Sequence, residues 1–139
     1  MGMLSKKTQY ALKALGYLTE KFGEGPVLIS EIAEKKNIPF KFLECILLEL
    51  RNDGILESKK GKGGGYLLAQ KPSSVNLARI IRLIGGPIAL VPCVSLNFYE
   101  KCEDCDEASC GVNRVMAQTR DATLKILEKK TLRDLVDSD

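Results

Sequence analysis

Over most of the chain, apolar residues recur with the period of a helix, and the places where that period fails mark the turns. Leu4, Thr8, Ala11, Leu12, Leu15, Leu18 and Phe22 share one face and predict a first helix capped by Ser5 and broken at Glu24-Gly25-Pro26. Ser30 reads as the N-cap of a short second helix with Ile32 and Ala33 inward. Asn37-Ile38-Pro39 stops that helix, because proline drives the residue before it out of the α region. Pro39 is itself tolerated at the first position of a third helix, in which Leu43, Ile46, Leu47 and Leu50 make a buried stripe ending near Gly54. The period then changes to strand character in Ile55–Lys60 and Tyr66–Ala69, joined by Gly61-Lys62-Gly63-Gly64-Gly65. Asn76–Ile84 is a short helix with Leu77, Ile80, Ile81 and Ile84 inward, and Ile88–Val91 leads extended into Pro92-Cys93. A long helix is predicted over Cys110–Lys130, where Val112, Val115, Met116, Thr119, Ala122, Thr123, Ile126 and Leu127 form a stripe. Thr131 can cap a final short helix, Leu132–Val136.

The fold class is therefore mainly α with a small β-hairpin wing: a winged helix-turn-helix domain plus a long dimerisation helix. The expected divisions are 3–84 for the DNA-binding domain, 85–111 for a cysteine-rich loop, and 112–136 for the dimerisation helix and the C-terminal short helix. Two helices set at a steep angle by a tight turn suit a DNA major groove, where residues near the start of the second helix meet base edges. Phe40, Lys41, Glu44 and Cys45 lie off the apolar stripe there and are the candidate contacts. Lys41 can reach guanine or a phosphate, and Glu44 can accept from cytosine N4. A solvated charged face is the bland alternative for both, and Cys45 reads more simply as a small packed side chain. In the hairpin, Lys59, Lys60 and Lys62 supply cations for phosphates or a narrow minor groove. Gly61, Gly63, Gly64 and Tyr66 complete the candidate wing contacts. The run is neither a dinucleotide fingerprint, because Tyr66 replaces the last glycine, nor a phosphate-binding loop ending in Lys-Ser/Thr.

A long helix of about 30 Å exceeds what one small domain needs for its own core, and a two-fold dimer on a pseudo-palindromic operator would use it. The net charge is only +3, yet residues 1–80 carry 13 Lys/Arg against 8 Asp/Glu, and residues 81–139 carry 8 against 10. The basic excess thus belongs to the half expected on DNA. With no histidine in the chain, the commonest general base and the usual catalytic triads are absent, so no enzyme is expected. There is no signal peptide and no apolar run long enough to span a bilayer, which places the expectation in the cytoplasm.

Four of the five cysteines, Cys93, Cys102, Cys105 and Cys110, fall in one segment with the spacing C-x8-C-x2-C-x4-C. In a reducing cytosol that pattern favours metal or redox duty over disulfides. Thiolates select iron–sulfur clusters, zinc or Cu(I). A single CxxC weakens the zinc reading, since structural zinc sites commonly pair two. Glu100, Glu103, Asp104, Asp106 and Glu107 make the segment acidic, which disfavours thiolate at Cys102 and Cys105 without a metal and would stabilise the oxidised state of a cluster.

Three pieces, SKKTQYALKAL, FLECILLELRNDGIL and KGKGGGYLL, carry a resemblance to the IscR/NsrR/BadM family of bacterial winged helix-turn-helix transcriptional regulators. The likeness runs from Leu4 through the cysteines to Leu135. It implies sequence-specific DNA binding, no small-molecule substrate and an iron–sulfur cluster, 2Fe-2S or 4Fe-4S, with Cys93 and Cys110 as outer ligands and Cys102 or Cys105 between them. It also matches Glu44 to a base-contacting glutamate. Where the family has arginine before the wing glycines this chain has Lys60. The family's histidine or aspartate fourth ligand is replaced here by Asn113 or Gln9, which favours an all-cysteine site. The expected function is a homodimeric regulator, a repressor by default, whose DNA affinity follows cluster or cysteine state. The alternative is a zinc- or thiol-based module that docks a protein through its winged domain.

Overall fold

A computed structural model describes residues 4–101 and 106–136. Five α-helices and one hairpin follow in order: α1 (Lys6–Glu20), α2 (Ile29–Lys36), α3 (Phe40–Asn52), β1 (Leu56–Lys59), β2 (Gly65–Leu68), α4 (Leu77–Gly85) and α5 (Gly111–Lys129). One-turn 3-10 helices stand at Pro72–Ser74, Pro92–Val94 and Leu132–Leu135. The mainly helical, winged fold class read from the pattern is what the chain adopts.

Local signals set most boundaries. Ser5 caps α1, its Oγ accepting from the Thr8 N–H at 3.1 Å, and Asn76 caps α4 through the Arg79 N–H at 2.8 Å. Ser30 does not cap α2. That helix starts at Ile29 with Leu28 in the cap position, and Ser30 sits exposed in its first turn. The reason is tertiary: Val27 pairs with Tyr66 through two 2.8 Å backbone hydrogen bonds, which orients the chain into helix before Ser30 is reached. Asn37 ends α2 in the left-handed region at φ 53°, a conformation its short polar side chain tolerates. Pro39 occupies the cap position of α3, one residue earlier than its expected place inside the helix. Leu4 and Phe22, expected on the inner face of α1, lie beyond its ends and are exposed.

The core is one cluster. Ala11, Leu15 and Leu18 of α1, Ile32 of α2 and Leu43, Ile46, Leu47 and Leu50 of α3 meet Ile55, Leu56 and Leu68 of the hairpin, with Ile80 of α4. Leu132 joins the same cluster with no exposed surface. The backbone fastens it there, because the Leu77 N–H donates to the Lys130 carbonyl at 2.9 Å and the Leu132 N–H to Val75 at 3.1 Å. The end of α5 is therefore built into the winged domain. Thr131 and Asp134 close that last turn as a capping box.

Candidate nucleic-acid interface and cysteine segment

The side chains of α3 divide cleanly. Leu43, Ile46, Leu47 and Leu50 are fully buried, while Phe40, Lys41 and Cys45 are exposed and Glu44 is half-buried. Lys41 and Glu44 stand i to i+3 with Nζ and Oε1 3.8 Å apart. An exposed pair at that distance is worth a few tenths of a kcal/mol at most, so a nucleic acid can separate them at little cost. Leu48 also points outward, 44 % exposed on the face of Glu44 and Cys45. Sequence reasoning misses it inside the apolar run Ile46-Leu47-Leu48; its place off the 43, 46, 47, 50 stripe is the available signal. A leucine there can meet a thymine methyl.

The wing pairs Leu56 with Leu68 and Lys59 with Gly65 in antiparallel register. Lys59, Lys60 and Lys62 are exposed along its tip, with Gly61 and Gly63. Gly64 differs: it is buried, and a Cβ there would lie 2.3 Å from the Lys59 carbonyl oxygen. Gly65 is equally constrained, since a Cβ would fall 2.2 Å from the Val27 carbonyl oxygen. These two glycines are demanded by the wing's own tight closure and its bridge to Val27, whatever else the tip touches. Tyr66, half-buried, carries that bridge in its backbone.

The cysteine segment joins α4 to α5. Cys93 sits in the 3-10 turn Pro92–Val94, and Cys110 occupies the cap position of α5. Both are half-buried and converge on one residue. The Asn113 backbone N–H donates to Cys110 Sγ at 3.4 Å, and Asn113 Nδ2 donates to Cys93 Sγ at 3.3 Å. Cys102 and Cys105 lie outside the described residues. Among the described residues no third Cys, Asp or Glu completes a metal-binding group. Two convergent soft sulfurs at the start of a helix are nonetheless donors of the kind that iron–sulfur clusters and zinc accept. The Tyr99 hydroxyl donates to the Glu107 carboxylate across the loop, and this hydrogen bond, followed by burial and the carboxylate charge, raises the phenol's pKa. Arg120 of α5 reaches back to the turn that holds Cys93, donating from Nη1 to the Val94 carbonyl at 2.7 Å while pairing with Asp121 at 2.7 Å.

Helix α5 packs against its own subunit chiefly through a residue outside the stripe expected to serve a dimer. Leu124 is its one buried residue, 6 % exposed and absent from the predicted stripe. Val112, Val115 and Ile126 are 62 %, 50 % and 59 % exposed. These three positions face away from the subunit, whereas Met116 and Leu127 of the same stripe are half-buried, and Thr119, Thr123 and Leu127 line a cavity with Ile81 and Ile88. Among the described residues no helix is long and apolar enough to cross a membrane.

Residues 4–138 match the Rrf2 family model, described as an iron-dependent transcriptional regulator. An rrf2-like HTH-type transcriptional regulator of Rhodobacter capsulatus is 40 % identical over 138 residues, 96 % of this chain and 92 % of that one. The structure of CymR, the global cysteine regulator of Bacillus subtilis, superposes with a TM-score of 0.83 at 34 % identity and covers 100 % of both chains. That of T. potens IscR superposes at 0.76 and 29 % identity, covering 97 % of this chain and 87 % of the other. With the helix-turn-helix, the wing and the cysteine segment all falling inside these matches, the chain belongs to the Rrf2 family of HTH-type transcriptional regulators and is not an enzyme.

Proposed function

We propose that this regulator binds a pseudo-palindromic operator as a homodimer and represses from it, with affinity set by a thiolate-held metal centre. The observation that carries the reading is the division of α3 into a fully buried stripe and an open polar face beside a lysine-tipped wing. That face offers Phe40, Lys41, Glu44, Cys45 and Leu48 to the major groove. Lys59, Lys60 and Lys62, with Gly61 and Gly63, offer charge and close backbone approach to the flanking backbone or minor groove. The open stripe of α5 supports the dimer, because Val112, Val115 and Ile126 gain burial only from a partner.

Cys93 and Cys110 would hold the metal centre with Cys102 and Cys105. When bound, an iron–sulfur cluster supplies a redox- and ligand-sensitive charge at the start of α5. Zinc is the alternative occupant. The chain's own residues carry any change there onward. Cys110 caps α5, Arg120 ties α5 to the turn of Cys93, and Arg82 of α4 faces Glu128 of α5 at 3.7 Å. The likeness to a global cysteine regulator favours a second reading, in which the same thiols answer cysteine status. Both readings need two states of different DNA affinity.

Selection from a randomised duplex pool tests the core of the proposal. Enrichment of a two-fold symmetric sequence is expected, and enrichment of none would overturn it. Iron, acid-labile sulfide and zinc measured on protein purified without oxygen separate the cluster, zinc and metal-free readings.

A further inference from the structure

We propose that Asn113 is the positioning residue of the cysteine site, a double hydrogen-bond donor that sets Cys93 and Cys110 against each other and is not itself a ligand. The inference rests on the reading of these thiols as metal ligands. One residue serves two sulfurs. Its backbone N–H lies in the first turn of α5, where helical N–H groups have no carbonyl partner, and it goes to Cys110 Sγ at 3.4 Å. Its side-chain amide presents nitrogen to Cys93 Sγ at 3.3 Å, across 20 residues of sequence.

The chemistry favours a donor role. A sulfur that holds a metal is anionic, so the group facing it must offer a proton, and the amide offers its NH2 end. Had the oxygen faced Cys93, lone pairs would oppose lone pairs. N–H···S hydrogen bonds withdraw charge from sulfur, so they raise the reduction potential of a cluster held there. Partners of this kind also orient ligands, and their loss typically lowers metal affinity about 10- to 100-fold. The half-buried position of Asn113 keeps water from substituting freely.

Two substitutions separate the roles. Asn113→Asp keeps the shape but exchanges the side-chain donor for an acceptor and a potential ligand; Asn113→Ala removes the side-chain donor to Cys93, leaves the backbone N–H to Cys110 in place and preserves the helix. The full chain is loaded anaerobically with iron and sulfide, or with zinc alone, and metal retention is measured against a competing chelator. Thermal melts of the metal-free proteins are run alongside. Both variants are expected to melt like the parent and to lose affinity about 10- to 100-fold, Asp at least as much as Ala. The iron-loaded Ala variant should show a lower reduction potential. Parent-like or tighter binding by Asn113→Asp, with loss in Asn113→Ala, would make Asn113 a ligand and overturn the proposal. Parent-like affinity in Asn113→Ala would overturn it too. A parent chain that takes up neither iron with sulfide nor zinc removes the metal reading itself, a result distinct from both.

Discussion

Replacing Ile126 by alanine tests whether the outer face of α5 belongs to a second copy of the chain. Ile126 is 59 % exposed in the isolated subunit, so truncating it removes little from the subunit's own packing. Fully burying an isoleucine side chain is worth roughly 1.5–3 kcal/mol, and the fraction left to a partner is therefore worth about 1–2 kcal/mol. Alanine keeps the β-carbon, leaving a loss of about 1 kcal/mol per copy. A two-fold interface holds two copies, so the dimer should weaken by about 2 kcal/mol, or roughly 30-fold in dissociation constant. Sedimentation equilibrium over a range of concentrations reads this directly. The concentration at which DNA is half-bound should rise with it.

Leu124 supplies the contrast. It is 6 % exposed and faces the other way, so Leu124→Ala should lower folding stability by roughly 2–5 kcal/mol through the cavity it leaves. The reasoning fails if Ile126→Ala leaves the dimer constant within about threefold of the parent, below the roughly 1 kcal/mol that even one copy should contribute. It fails equally if the parent sediments as a monomer at every concentration.

Other outcomes follow from the same geometry. Lys60→Ala with Lys62→Ala should flatten the plot of log affinity against log salt by about 1.8, roughly 0.9 for each phosphate no longer neutralised; an unchanged slope would remove the wing from the interface. Glu44→Ala should change base preference more than total affinity, and Leu48→Ser should cost about 0.8 kcal/mol at one thymine-bearing position, the worth of roughly one buried methylene, both readable by selection from a mixed pool. Equal losses on all sequences would argue against base contact. Tyr17 donates to Glu31, and this hydrogen bond, then burial and the carboxylate's charge, push its pKa up to about 12 from 10.0. A raised pKa means the folded state favours the neutral phenol, so its stabilising contribution is complete below pH 10 and is lost as pH climbs toward 12. Tyr17→Phe should remove that part of the alkaline unfolding curve, as followed by circular dichroism; an identical curve would show that the pairing of α1 with α2 does not depend on it.

The parts of the fold legible in the sequence are those set by nearest neighbours in the chain. Ser5 and Thr131, read as caps from the sequence, satisfy helical N–H groups three residues on, a local geometry that residue type and spacing reveal. The α3 stripe is equally plain. Ser30 misleads because the start of α2 is decided by Val27 pairing with Tyr66, a partner 39 positions distant in the sequence. Helix α5 is only partly legible: its buried Leu124 lies outside the stripe that periodicity finds. It carries apolar residues on two faces, and periodicity finds a stripe without saying whether the subunit or a partner covers it. The glycine run has a similar ambiguity: Gly61 and Gly63 lie open at the tip, while Gly64 and Gly65 answer to the carbonyls of Lys59 and Val27. Spacing groups Cys93 with Cys110, but that Asn113 touches both depends on the turn of the chain around Pro92.

The coupling proposed between the cysteines and α3 would run through the places where α5 is held. Its first turn is capped by Cys110, its middle is tied through Arg120 to the carbonyl beside Cys93, and its far end is hydrogen-bonded into the winged domain at Val75 and Leu77. A helix of 19 residues fixed at three levels moves as a rod. In the proposed switch, a change of charge or spacing at Cys93 and Cys110 would be passed to α5 through its cap and through the Arg120 tie, about three turns along. Tilting moves the open stripe of Val112, Val115 and Ile126. If a partner covers that stripe, the two subunits must turn relative to each other, and so must the two copies of α3. Spacing between recognition helices is what a symmetric operator measures. In the proposed dimer, a displacement at the sulfurs carried along α5 would thus change the spacing of the two α3 helices, and with it the DNA affinity. The Arg120 side chain is the linkage most easily cut: Arg120→Ala should leave metal binding in place while reducing the difference in DNA affinity between the two states, measured by titrating labelled operator under both conditions. An undiminished difference would mean that the signal travels another way.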